Sequence, residues 1–263
     1  MPDHAEPSTA RTPTPRAPGN FTAGNQPALT RRPIDAVLFD FHGTLAQVED
    51  AVTWVIAAAG ECSTALERAR ATVLADRLVT AGRAGGPLPA RIPPQLAEVW
   101  AERDYYAHAH RAAYTGLAAT VQTGIEGLPD ALYERLLRPE GWLPYPDTAA
   151  VLESLRAADV PVAVVSNIGF DIRPHFTAWG LAEFVDEFVL SYEVGRCKPD
   201  PVIFQWACRL LDVDPQRTLM VGDTAADAGA VRTGCATLVL PPAEPGRANG
   251  LAAVLDLVLT GER

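Results

Sequence analysis

Ile34-Asp-Ala-Val-Leu-Phe-Asp40-Phe-His-Gly-Thr44-Leu decides the fold of this 263-residue chain. Up to Phe39 the run is short and almost wholly apolar. That is the pattern of a strand covered on both faces, not the alternation of a strand with one wet face. It then stops at a carboxylate, followed by the turn-forming His-Gly-Thr. Four later stretches have the same buried-strand character, at residues 160–166, 184–190, 217–223 and 236–240. Helical patterns separate them. Residues 148–158 follow Asp147, a residue suited to an N-cap. Residues 170–179 end at Gly180, and 201–211 open with Pro201 in the first turn. Residues 224–233 end at Gly234, and 251–259 close the series. Strands alternating with helices imply right-handed βαβ units, and so an α/β fold with a doubly wound parallel sheet.

Residues 47–142 break this rhythm and carry no strand signal. Residues 51–59, 64–81, 95–117 and 129–137 read as helices, with Thr64 and Glu67 placed for a capping box. A Gly- and Pro-rich connection fills 82–94. The expected organisation is a disordered leader over 1–32, an α/β core over 33–46 and 143–263, and an inserted α-helical cap over 47–142. Trp142-Leu-Pro-Tyr-Pro-Asp147 reads as the returning hinge. The leader is rich in Pro, Thr and Ala and lacks the apolar stretch of a signal peptide. Hydrophobic residues make up 48% of the chain, enough for a sizeable core. A formal net charge of −10 argues against a nucleic-acid backbone as partner, and no apolar run reaches membrane-span length. Cys62, Cys197, Cys208 and Cys235 are scattered with no metal-type spacing, as expected of reduced thiols in a cytoplasmic protein. The sequence gives no indication of oligomeric state.

Parallel doubly wound sheets bind ligands at the carboxyl ends of their strands. Asp40 ends the first strand there, and Ser166-Asn167 the second. The fourth ends in Gly222-Asp223-Thr-Ala-Ala-Asp227. After the third comes Lys198, the only lysine among 22 lysines and arginines. A compact ammonium suits a crowded anion site better than a planar guanidinium. Asp40, Asp223 and Asp227 form an oxygen-rich set suited to a hard cation such as Mg2+. Lys198 and Ser166 supply donors for an anion beside it.

These four segments, in this order, resemble the motifs of the haloacid dehalogenase superfamily, most of whose members are phosphatases with a Rossmann-like core. The similarity runs from about residue 34 to 259, and the helical insertion resembles the cap of the branch that includes phosphoglycolate phosphatases and dehalogenases. The resemblance implies that Asp40 is a nucleophile forming an aspartyl-phosphate and that Thr44 orients the site. Ser166, with Asn167 as a lesser contact, binds the transferring phosphoryl group, and Lys198 holds nucleophile and phosphate together. Asp223, Asp227 and the backbone carbonyl of His42 complete a Mg2+ site with Asp40. The substrate implied is a small phosphorylated metabolite. The departure is His42, where related phosphatases place an acid/base aspartate. Three readings stay open. Histidine does the same proton work, or the leaving group needs no acid, or turnover is lost and the protein only binds. A metal-independent dehalogenase also lacks that aspartate, but the Asp223–Asp227 pair argues against it. The stretch 100–111 holds aromatics and bases facing either substrate or the helical interior. His108 and His110, two residues apart, do not share a helix face.

Overall fold

The computed structural model describes residues 33–259, so the expected leader lies outside the described residues. Among the described residues seven strands form in two sheets: β1 (Ala36–Phe39), β2 (Ala46–Val48), β3 (Trp142–Pro144), β4 (Val162–Ser166), β5 (Glu187–Leu190), β6 (Thr218–Gly222) and β7 (Ala236–Val239). Five build a parallel sheet in the order β5-β4-β1-β6-β7. From β1 the chain winds outward to β4 and β5, then crosses back to β6 and β7. The carboxyl ends of β1, β4 and β6 therefore lie at the switch point, where a crevice opens between diverging connections.

The strand pattern follows from burial on both faces. Val37 and Phe39 enter one apolar cluster, with Phe176, Leu152, Leu155 and Val254. Leu38, between them, enters the opposite cluster with Phe204, Ile203, Ala207 and Met220. The period of two thus distributes one strand between two cores. Helices at Thr148–Ala157, Arg173–Ala178, Pro201–Leu210 and Ala252–Val258 supply the covering layers.

Five helices lie between β2 and β3: α1 (Ala51–Glu61), α2 (Arg68–Ala81), α3 (Ala97–Glu102), α4 (Ala107–Ala119) and α5 (Leu128–Leu136). They bury an apolar cluster of their own around Val55, Leu74, Leu78, Leu128 and Leu132. Trp54 donates its indole N–H to the Leu132 carbonyl at 3.0 Å. Arg135 grips buried Glu49 with two hydrogen bonds, of 2.7 and 3.0 Å, and so ties α5 to the end of β2.

Several local expectations are corrected. No strand was expected in 47–142, yet β2 and β3 pair antiparallel, Ala46 with Pro144 and Val48 with Trp142. Both chain crossings into the helical segment thus run through one ribbon, and the expected boundaries fall inside it. Three-residue strands are too short to show a period. The single helix expected over 95–117 is two, because the turn at 103–106 is held from outside. The Asp104 carbonyl accepts the Ser191 hydroxyl rather than a helical N–H. The capping box at Thr64 does not form; Thr64 turns its hydroxyl to the Cys62 carbonyl, and Glu67 precedes α2 without a side-chain cap. The helix expected over 224–233 stops at Ala228 and tightens into a 3-10 turn, where Thr233 returns its hydroxyl to the Ala230 carbonyl at 2.7 Å.

Asp147 does not cap the helix that follows it. Its carboxylate crosses the fold to accept the Asn249 and Leu251 N–H groups, each at 2.9 Å. It anchors the start of the last helix, not its own. Asp147→Ala is expected to lower stability by about 1–3 kcal/mol, because two part-buried amides lose a charged acceptor. Urea denaturation followed by circular dichroism measures this. A change within about 0.5 kcal/mol, the scale of an ordinary surface substitution, would contradict the assignment.

Candidate active site

The four separated segments meet at the carboxyl edge of the sheet. Lys198, 5% exposed, places its Nζ 2.6 Å from Asp40 Oδ1, 2.7 Å from Asp227 Oδ1 and 2.8 Å from the Val165 carbonyl. All three donors of the ammonium are thereby directed. One carboxylate oxygen from each of Asp40, Asp223 and Asp227 lies within 4.8 Å of the others. Ser166, buried, ends β4 beside Lys198's Val165 anchor.

Local backbone explains the convergence. Gly43 has φ of +80°, and a Cβ there would come within 2.3 Å of Asp223 Oδ2. Glycine therefore satisfies the turn and lets the β6 carboxylate press against the β1 loop. Asp227 Oδ2 accepts the Thr224 N–H at 3.0 Å and the Thr224 hydroxyl at 2.7 Å, forming a capping box at the helix start. With Oδ1 on Lys198, both Asp227 oxygens are engaged. Asp40 and Asp223 hold the more open carboxylate faces.

Electrostatics concentrate strain on Asp40. Burial raises its pKa to about 7; Lys198 opposes the rise, and Asp227 and Asp223 add to it. Asp223 is raised by burial and then by Asp227. Burial opposes the charge on Lys198, but Asp40 and Asp227 outweigh it and lift its pKa above the usual value. Burial also works against ionised Asp227, yet Lys198 and Thr224 carry it below the usual carboxylate range. Three crowded acids against one ammonium leave excess negative charge, which a divalent cation would relieve. The donor set, all oxygen, fits Mg2+. Thr44 adds a fully buried hydroxyl that finds no hydrogen-bond partner among the described residues.

The other expected residues separate into distinct positions. Asn167 uses both ends of its amide on the Lys198 main chain, accepting its N–H at 2.7 Å and donating to its carbonyl at 2.9 Å. It positions the lysine loop. His42 turns its ring toward the helical segment, hydrogen-bonded to the Gly85 backbone and edge-on to Trp142 at 5.6 Å between centroids. Burial lowers its pKa to about 4, despite the Gly85 bond, so the imidazole is neutral. His108 stacks on Tyr106, whereas His110 is buried with its Nδ1 2.8 Å from the Tyr133 hydroxyl, so the two diverge as the helix period requires.

Three contributors carried no sequence signal. Asn249 donates to the Gly43 and Thr44 carbonyls, both at 2.9 Å, and braces the loop after Asp40 from far along the chain. Ser191 bonds Ile168 N–H at 2.9 Å and the Asp104 carbonyl, latching the α3–α4 turn to the loop after β4. Arg83, 7% exposed, lies over the Trp54 ring at 4.3 Å, with its Nε unpartnered, two residues from the glycine that touches His42. Isolated Asn, Ser or Arg in loop contexts looks like ordinary surface in one sequence.

A family model described as haloacid dehalogenase-like hydrolase matches residues 34–233. The chain belongs to the haloacid dehalogenase-like hydrolase family. Its relatives divide between two chemistries. It is 36% identical over 86 residues to (S)-2-haloacid dehalogenase 1 of Pseudomonas sp. (strain CBS-3), covering 32% of this chain and 38% of that protein. It is 34% identical over 89 residues to the plasmid phosphoglycolate phosphatase of Cupriavidus necator, covering 34% of this chain and 38% of that protein. The matched stretch thus spans well under half the length of each relative. The solved structure of a dehalogenase aligns over 85% of this chain and 96% of its own, at 26% identity and a TM-score of 0.59. No helix among the described residues is long and apolar enough to cross a membrane.

Proposed function

We propose that the protein is a Mg2+-dependent phosphatase of a small phosphorylated metabolite, working through an aspartyl-phosphate on Asp40. The observation that carries this reading is the Lys198 ammonium within hydrogen-bond reach of Asp40 and Asp227, with Asp223 gathered at the same strand edge. Two anions, carboxylate and phosphate, must meet, and their repulsion is the main obstacle. Lys198 lowers it on one side. Asp40, Asp223, Asp227 and the His42 carbonyl would hold Mg2+ on the other, where the ion supplies charge neutralisation and polarises phosphoryl oxygens. Ser166 and the Thr44 hydroxyl orient the phosphoryl group and the loop beside it. Asp40 then attacks phosphorus as the ester P–O bond breaks and the alcohol departs, and water attacks the aspartyl-phosphate at phosphorus, releasing phosphate and regenerating the carboxylate.

Residues 47–142 act in this reading as a cap over the core at 33–46 and 143–263, excluding water and selecting substrate. The β2–β3 ribbon is the place for its hinge. Four free thiols support a reducing, cytoplasmic location. Phosphate release from an aryl phosphate, present with Mg2+ and lost with chelator, tests the function. Binding of Mg2+ and beryllium fluoride without turnover on a broad ester panel would replace it with a binding role.

His42 sets the leaving-group range. Its ring is held toward Gly85 and Trp142, where an aspartate would stand free to protonate a departing oxygen. Turnover is therefore expected to favour esters with good leaving groups. His42→Asp is expected to raise kcat on alkyl phosphates by about 10-fold or more, the lower part of the range for general acid catalysis, with little change on aryl phosphates. Equal or lower rates on both would assign His42 another task.

The dehalogenase-like relatives favour one competing reading. In that chemistry Asp40 displaces halide from carbon, and water then attacks the Asp40 ester carbonyl. Single turnover in 18O-water would place label in the Asp40 carboxylate, whereas phosphoaspartate hydrolysis at phosphorus sends it to phosphate. Halide release insensitive to chelator, with label in Asp40, would establish the dehalogenase.

A further inference from the structure

On the sheet face opposite the Phe39 cluster, two buried thiols share one apolar cluster. Cys208, near the end of helix Pro201–Leu210, and Cys235, immediately before β7, belong to one apolar cluster and are 2% and 4% exposed. Sheet register fixes their proximity. Leu219 pairs with Ala236, so the residues before them, Thr218 and Cys235, stand side by side. Cys208 Sγ is 3.9 Å from Thr218 Oγ1, and Cys235 Sγ is 3.1 Å from Thr233 Oγ1. Each thiol is the foremost influence on the other's ionisation.

We propose that Cys208 and Cys235 form a reversible disulfide when the protein meets a hydroperoxide. Cys235 thiolate attacks the O–O bond, taking one oxygen as a sulfenic acid while the other leaves as water. The Cys208 thiol then displaces that hydroxyl as a second water and closes the S–S bond. In sum, two thiols and one hydrogen peroxide give one disulfide and two waters, and the peroxide is the two-electron oxidant. The roles follow from the asymmetry of the pair. Cys208 draws the Cys235 thiol below its ordinary pKa, whereas Cys235 raises that of Cys208. Access comes through β7, which is an edge strand with exposed ends and so belongs to the part of the sheet that opens most readily.

The crosslink has a defined consequence. The span from Cys208 to Cys235 contains β6, Asp223 and Asp227. A disulfide would close this acid-bearing stretch into a covalent loop and reduce the freedom of its unfolded form. Cys62 and Cys197, each partly exposed, have no thiol partner and serve as internal controls.

The test treats the full chain with hydrogen peroxide, blocks remaining thiols with iodoacetamide under denaturing conditions, and analyses unreduced peptides by mass spectrometry. The expected result is a Cys208–Cys235 linked peptide that a dithiol reductant removes. The oxidised protein is expected to melt at least about 5 °C higher than the reduced one. Cys208→Ala should leave Cys235 as a sulfenic acid trapped by dimedone. Recovery of both cysteines alkylated, pairing of either with Cys62 or Cys197, or over-oxidation without a crosslink would overturn the proposal. The wild-type peptides decide the matter even where the variant fails to fold.

Discussion

Asp40→Asn is expected to reduce phosphate release by at least about 10^4-fold, the scale seen when a covalent nucleophile is removed, while leaving the fold in place. Asparagine matches the shape of the carboxylate, so Lys198 keeps an acceptor there, as well as the Val165 carbonyl and Asp227. An amide, however, lacks the charge and nucleophilicity to attack phosphorus. The substitution also removes one of three crowded acids, two of them buried. Asp40 is driven up to a pKa of about 7 by burial, with Asp227 and Asp223 adding to it, so its ionised form stands under electrostatic strain. Thermal stability without metal should therefore be equal to or above wild type. Wild-type kcat in this variant would remove Asp40 from the chemistry. A collapse of Tm with the loss of activity would instead mark it as a structural anchor.

Lys198→Met carries the largest expected effect on stability. The ammonium is the only cation bonded to Asp40 and Asp227 among the described residues, and its side chain is 3% exposed. A methionine fills the volume but leaves two buried carboxylates uncompensated. Removing one partner of a buried ion pair costs about 3–5 kcal/mol, a large share of the 5–15 kcal/mol that holds a typical domain. The paired variant Lys198→Met with Asp40→Asn should recover part of that loss, because one orphaned charge is gone. Lys198→Arg is expected to retain charge yet lose most activity, since a planar guanidinium cannot make the same three short bonds from one nitrogen. Denaturant titrations of the single and double variants read these differences directly. Strictly additive losses in the double variant would show that Lys198 and Asp40 are not coupled.

The legibility of the fold followed burial. β1, β4 and β6 are covered on both faces, so continuous apolar runs ending in polar residues announced them, and their carboxyl ends located Asp40, Ser166 and Asp223. β2 and β3 were invisible because three residues show no period and because the pair exists only as a tertiary contact. The break between α3 and α4 was hidden for the same reason. Nothing local demands it; Ser191, far along the chain, takes the Asp104 carbonyl. Asp147 had the composition of an N-cap, but its carboxylate accepts the Asn249 and Leu251 amides instead, partners distant in sequence. The convergence of the acids and the lysine was readable because each follows the carboxyl end of a buried strand. Asn249 and Arg83 were not, because their significance lies in what they face. Asn167 stands at the sheet edge and clamps the Lys198 main chain.

The central claim is that Asp40 takes the phosphoryl group. Acid-quenching the protein during Mg2+-supported turnover of an aryl phosphate, followed by mass spectrometry of the peptide that bears Asp40, tests it most directly. The account predicts one phosphoryl group on Asp40, absent in Asp40→Asn and absent with chelator. Phosphate released while Asp40 stays unmodified, or a phosphoryl group on another side chain, would contradict it.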